Sequence, residues 1–284
     1  MINALRSDAF RQWKRLMPKV LLGILLGSVV LFYLLLWATV QTAGGQTDAT
    51  GVEDLRASLR VENVIPFSAG LIAQFGTILA IIMAGSSTGG EYGSGTVRTM
   101  VVRTRARWHF VAAKLVNGVL FAFLLVLLGM LAGLAVSAAI SSSLDGNYDA
   151  VLRAGFAGDL VAAVVRTTWV MVPYVAAAVF LGVWGRSSAV AIGLPLGIFV
   201  VELIASSVLQ AVGGVFEDVT KAFPSVNLSA VLAANGQIQG SSTSQPSDDL
   251  PSAWQGAAVL GAYALAAVVL VFYLFQRRDI TAEG

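Results

Sequence analysis

The chain has 284 residues, of which 57% are hydrophobic and 12% charged, and carries a net charge of +2 at pH 7. Soluble domains carry about 25% charged residues, so this composition argues against a water-soluble fold and for an integral membrane protein. Cysteine is absent and His109 is the one histidine, which excludes disulfides, thiol chemistry and a histidine-built metal site. At about 20 residues per span the length accommodates six spans with loops between them.

Residues 1–19 read as an interfacial helix. Ile2, Leu5, Phe10, Trp13, Leu16 and Met17 recur at helical spacing, and Arg6, Arg11, Lys14, Arg15 and Lys19 cover the other side. Pro18 predicts a bend at the junction with the first span. The charge-free run 20–40 is about twice the length of a signal-peptide core, so it reads as a first span rather than a cleaved leader. The remaining spans are expected at 67–88, 111–140, 160–184, 189–212 and 254–275, giving an all-α, six-span domain over 20–284.

Between spans one and two the chain is acidic, and Val52, Leu55 and Leu59 predict one short helix. Asp145-Gly146-Asn147 predicts a turn after span three, and Gly185-Arg186-Ser187-Ser188 a tight turn after span four. The longest loop, 213–253, has a helix-like stretch at Leu228–Ala234 and then a Gly/Ser/Pro/Asp segment. Asn227-Leu228-Ser229 matches a glycosylation sequon.

With the N-terminus inside, thirteen of the 18 Lys and Arg residues fall on the inner side and Arg56, Arg60, Arg153 and Lys221 on the outer side. This bias predicts that both termini are cytoplasmic. Arg166 and Glu202 fall inside spans four and five. They are expected about 9 Å and about 15 Å from the outer side on neighbouring helices, a gap that a snorkelling arginine covers, and so as an intramembrane ion pair. The alternative places the Arg166 head in the headgroups and Glu202 against Ser206. Gln74 and Thr77 in the second span, and Glu202, Ser206 and Gln210 in the fifth, form polar stripes. The pairs Gly23/Gly27, Gly129/Gly133 and Gly193/Gly197 permit close helix approach.

The segment 89–110 is the one internal stretch that is strongly basic, with Arg98, Arg103, Arg105 and Arg107, followed by Lys114. Gly93 and Gly95 are expected to break the incoming helix, with Ser94 or Thr96 capping a short helix that presents Val97, Met100 and Val101. The segment lacks G-x-x-x-x-G-K-[ST], as does the rest of the chain, so no nucleotide loop is expected. Glu91 is its lone acid. One reading is a helix-end carboxylate satisfied by Arg98 or backbone N–H groups; the other is a contact to a partner or to the N-terminal helix.

Gly90-Glu91-Tyr92-Gly93-Ser94-Gly95-Thr96-Val97-Arg98, a basic turn and Lys114 resemble the permease subunits of type-2 ABC exporters. Glu91, Gly95, Thr96, Arg98 and Lys114 fit that family's pattern, whereas Thr104-Arg105-Ala106-Arg107 lacks its proline and serine. The six-span plan and the Arg277-Arg278-Asp279-Ile280-Thr281 ending extend the likeness. The resemblance implies that residues 1–19 are a connecting helix. It also implies that 89–110 is a coupling segment docking on a separate ATPase through Glu91, Gly95, Thr96, Arg98, Met100, Arg103 and Arg105. By the same resemblance, the second and fifth spans line a path at a dimer interface, and 213–253 contributes external or re-entrant helices. The expected partners are two ABC ATPase subunits, a second permease subunit (identical or related) and membrane lipid, with no nucleic acid. ATP and magnesium would be bound by the ATPase, and this chain would need no cofactor of its own. The location would be a bacterial plasma membrane and the cargo an amphipathic or lipophilic drug, antibiotic, peptide or lipid. A secondary transporter would instead show repeated halves and several intramembrane acids. An intramembrane hydrolase would show clustered His, Asp or Glu within the spans.

Overall fold

A computed structural model of the chain describes residues 2–43, 49–96, 108–143, 148–212, 219–236, 238 and 250–277. In a bilayer every backbone N–H and C=O must be satisfied within the segment, so long apolar runs become helices. Among the described residues the chain is helical and has no strand. The α-helices in order are α1 (Ile2–Lys14), α2 (Leu16–Ala43), α3 (Ala49–Leu59), α4 (Val64–Gly93), α5 (Trp108–Ser141), α6 (Asp149–Leu152), α7 (Phe156–Gly185), α8 (Ser188–Val212), α9 (Pro224–Ala233) and α10 (Ala253–Arg277). Six of them, α2, α4, α5, α7, α8 and α10, are long and apolar enough to cross a membrane. Each runs beyond its apolar stretch; α4, for example, continues past residue 88 to Gly93.

Helices α4 and α7 form the centre and are the most buried spans. Helix α4 packs on α2, α5, α7 and α8, and α7 packs on α4, α5, α8 and α10. Leu25, Val29, Ile72, Leu125, Met130 and Met171 fill the shared interior. Tyr33 is fully buried there, its hydroxyl 2.9 Å from Ser68 Oγ and its ring edge-on to Phe67. The glycine pairs divide by surroundings. A Cβ at Gly133 would meet Ser68 Oγ at 2.2 Å and one at Gly129 would meet Ile72 at 2.9 Å, so this pair seats α5 against α4. Gly23, Gly27, Gly193 and Gly197 have no such neighbour within 4 Å. The tightest crossing lies elsewhere. Cβ atoms at Gly85 and Gly89 would come within 2.6 Å of Ala191 O and 2.5 Å of Ser188 Cα, so the start of α8 lies backbone against backbone on α4.

The bend between α1 and α2 falls at Arg15, not Pro18, and the Arg15 N–H closes the last turn of α1 on Gln12 O at 3.1 Å. Pro18 sits in the first turn of α2, where its missing N–H has no intrahelical acceptor to lose. The expected short helix between spans one and two is α3, followed by a 3₁₀ turn at Val61–Asn63. Both are tied to α5 by Ser137 Oγ donating to Leu59 O and by Val61 N–H donating to Ser141 Oγ, each at 2.8 Å. The turn after α7 puts Arg186 in the left-handed region at φ 48°. The turn expected at 145–147 lies outside the described residues.

The loop between the last two spans folds partly into the bundle. Helix α9 starts with Pro224 in its first turn and packs on α10, α7, α8 and α4. Asn227 is fully buried and its amide donates to Lys221 O and Phe223 O, both at 2.8 Å, so the sequon asparagine is not a surface site. A Cβ at Gly256 would meet Asn227 O at 2.8 Å, which seats α10 directly on α9.

Gly89→Ala is expected to destabilise the chain by about 1–3 kcal/mol, because the obstructing atoms are backbone. Gly193→Ala, with open space around its Cβ, should leave stability unchanged. Thermal unfolding of the two variants in the same detergent checks this contrast.

Candidate functional site

Helix α1 has two faces, and the one turned to the bundle is polar. Phe10 and Trp13 point away and are 60% and 44% exposed, whereas Asp8 and Gln12 are buried at 4% and 8%. Asp8 and Gln12 lie one turn apart, so they share a face. Lys114 and Asn117, three residues apart near the start of α5, likewise share a face and are also buried. Glu91 reaches the same place from the last turn of α4 and is 3% exposed.

These residues form one cluster. Lys114 Nζ lies 2.6 Å from Asp8 Oδ1 and 2.7 Å from Glu91 Oε1, with its own side chain 2% exposed. Asn117 Nδ2 donates to Asp8 Oδ2 at 2.7 Å, and Gln12 Nε2 donates to the same oxygen at 3.0 Å. Arg11 adds a half-exposed cation at 3.3 Å from Asp8 Oδ1 and 3.5 Å from Glu91 Oε1. Two acids therefore face two cations, and the Asp8 carboxylate has its lone pairs on both oxygens engaged. Among the described residues Glu91 Oε2 is buried without a hydrogen-bond partner. Beside the cluster, Ala9, Gln12, Trp13, Pro18, Met83, Asn117, Leu120 and Phe121 line a small cavity of about 70 Å³.

The cluster marks where α4 leaves the bundle and α5 enters it. Gly95, at φ 66°, supplies the left-handed turn that ends α4. Ser94 Oγ donates to Gly90 O at 2.9 Å and Thr96 Oγ1 to Glu91 O at 3.3 Å, so both close the end of α4. Arg98, Met100, Arg103 and Arg105, the other residues expected to couple to a partner, lie outside the described residues, as does the helix expected to carry them.

The polar residues of spans two and five are dispersed. Gln74 is exposed, whereas Thr77 is fully buried and donates to Ala73 O at 2.6 Å, and Ser206 is buried and donates to Leu203 O at 3.1 Å. Thr77 and Ser206 thus satisfy their own helices, and the Gln210 side chain lies outside the described ones. The expected Arg166–Glu202 ion pair is absent among the described residues. Arg166 instead donates to Ala234 O at 2.9 Å and Asn235 Oδ1 at 3.2 Å, while Glu202 Oε2 accepts from Tyr174 at 3.1 Å. The physical reason is that each charge has another polar partner at hand, the end of α9 for Arg166 and Tyr174 of α7 for Glu202.

Sequence reasoning found Glu91 and Lys114 but missed Asp8, Gln12 and Asn117. The signal was present. Asp8 is the single acid in a strongly basic N-terminal stretch, and its partner Gln12 follows at one-turn spacing.

The six membrane-length helices and the buried cluster at one end of the bundle define a multi-pass membrane protein with a polar joint between its first helix and its second and third spans. The family described as "Protein of unknown function (DUF2705)" matches residues 56–281, and the chain belongs to it. The match starts within α3, so it includes Glu91, Lys114 and Asn117 and begins after Asp8, Arg11 and Gln12. No curated protein matches the chain.

Lys114→Met should lower stability by about 3–5 kcal/mol, because it strands two buried carboxylates. Adding Asp8→Asn and Glu91→Gln should recover most of that loss. Unfolding midpoints of the single and triple variants in detergent provide the measurement.

Proposed function

We propose that the chain is the permease subunit of an ATP-driven exporter of the ABC type in a bacterial plasma membrane, with both termini on the cytoplasmic side. It contains no nucleotide-binding loop, so a separate ATPase would supply ATP and magnesium chemistry. Two permease subunits, identical or related, would pair above two ATPase subunits. The single observation that carries this reading is the position of Lys114, held between Asp8 of α1 and Glu91 of α4 at the root of the basic segment.

That arrangement suits mechanical coupling. A push on the basic segment acts on the last turn of α4 and the first turns of α5. Lys114 and Glu91 pass the displacement to α1 through short charge-assisted contacts, which resist shear better than apolar packing. Helix α4 then carries the movement to α8 through the backbone contacts at Gly85 and Gly89. The apolar outer surfaces of the spans suit an amphipathic or lipophilic cargo taken from the bilayer.

The complex purified from its native membrane should contain a soluble ATPase, and the isolated chain should not hydrolyse ATP. Glu91→Gln should reduce cargo-stimulated ATP hydrolysis roughly tenfold, the size of a typical coupling free energy, while the complex still assembles. ATPase activity in the isolated chain, or unchanged stimulation in Glu91→Gln, would overturn the reading.

A further inference from the structure

The cavity beside the Asp8–Glu91–Lys114 cluster is walled by α1, α2, α4 and α5, so an occupant touches every helix that meets at the joint. At about 10–15 Å³ per water-sized group, its volume of about 70 Å³ has room for about five non-hydrogen atoms. Pro18, Met83 and Phe121 are buried and supply an apolar wall.

The polar part of the lining is set by the cluster itself. Gln12 Nε2 and Asn117 Nδ2 both donate to Asp8 Oδ2, at 3.0 and 2.7 Å. A carboxylate flanked by cations only accepts, so these bonds fix which end of each amide faces Asp8. Gln12 Oε1 and Asn117 Oδ1 are left over. Among the described residues neither oxygen accepts a hydrogen bond, and both side chains line the cavity. The cavity therefore asks its occupant for a donor.

Charge and exposure narrow the choice. The cluster already balances two acids with two cations, so an ion beside it would be desolvated with no counter-charge of its own. A hydrocarbon would leave the two amide oxygens unsatisfied. The outermost lining residues are Trp13 and Leu120, which are 44% and 56% exposed. Leu120 shares an exposed row of α5 with Val116 and Phe123, on the outer surface of a membrane-length helix, so the cavity opens sideways toward lipid.

We propose that this cavity is a lipid site that takes the free hydroxyl of a neutral lipid of the diacylglycerol type. The hydroxyl donates to Gln12 Oε1 or Asn117 Oδ1, and the acyl chains leave over Leu120 along the outer row of α5. A lipid bound there bridges α1 to the spans and tightens the joint, since a ligand stabilises the state it binds. The site stands on this cavity and its two amides and does not depend on the ATP-driven reading.

The chain has no native cysteine, so Ala9→Cys places a single thiol on the cavity wall. Ser142→Cys, exposed just past the far end of α5, is the control. The full chain is placed in phosphatidylcholine nanodiscs with dioleoylglycerol, or with the same lipid methylated on its hydroxyl, and modification by a small methanethiosulfonate is timed. Dioleoylglycerol should slow modification of Ala9→Cys, with half the effect at about one-tenth of the mole fraction that the methyl ether needs, as expected for one or two lost hydrogen bonds. Gln12→Met keeps the side-chain length, removes the amide and should shrink that preference severalfold. Free glycerol, which has no acyl body, should not protect, and Ser142→Cys should react at one rate throughout. A cavity that holds only water would show no protection by dioleoylglycerol, and that result overturns the proposal. Equal protection by the two lipids, protection by glycerol, or an equal slowing at position 142 overturns it as well.

Discussion

The Lys114 ammonium, enclosed by the Asp8 and Glu91 carboxylates, is the constraint on which the inner architecture depends. Removing three charges from water costs several kcal/mol per ion, and the mutual attraction offsets that only with close geometry and filled hydrogen-bond positions. Both conditions hold here: the contacts are 2.6 and 2.7 Å, and Asn117 and Gln12 take the far oxygen of Asp8. The net gain in stability from such a cluster is small. Its main effect is positional, because any slide of α1 along the bundle would strand a buried charge. Apolar contacts tolerate such a slide, so the cluster makes α1 a fixed part of the joint rather than a loose surface helix.

A second constraint runs along α4. Its small residues Gly85 and Gly89 admit the start of α8, while the glycines of α5 admit Ile72 and Ser68 from α4 itself. Helix α4 is consequently packed by neighbours on several sides, and its far end carries Glu91. Because packed interiors shift between discrete arrangements rather than deform smoothly, a displacement at Glu91 has few places to be absorbed before it reaches α8.

The six spans were legible in the sequence because bilayer thickness and backbone satisfaction leave long apolar stretches few alternatives. The cluster was half legible. Glu91 and Lys114 stood out as single charges bracketing a basic segment, but Asp8 was hidden by the reading of α1 as a helix with one apolar and one basic face. Sequence periodicity cannot tell which face turns inward, and here the apolar edge at Phe10 and Trp13 faces away from the protein. Arg166 and Glu202 were placed on neighbouring spans, yet each has a partner other than the one expected. The depth of a residue follows from its position in one span, whereas the partner of Arg166 depends on α9, whose residues are buried on so many sides that they show no stripe. Only the tail of that helix, from Leu228, was visible as a helix-like stretch.

The chain distance between cluster partners has a consequence for biosynthesis. Asp8 and Lys114 are separated by 106 residues. At ribosomal rates of about 5–20 residues per second, Asp8 emerges roughly 5–20 s before its counter-ion exists. During that interval α1 has no bundle to join, and its exposed Phe10 and Trp13 are of the kind that suits a helix to a membrane surface. The first two spans are made before Lys114 exists, and the joint with Asp8 closes only once the start of α5 has been made. The order of synthesis thus makes the charged joint a late contact, closed after the helix that carries Asp8 has been free of its partner for the length of two spans.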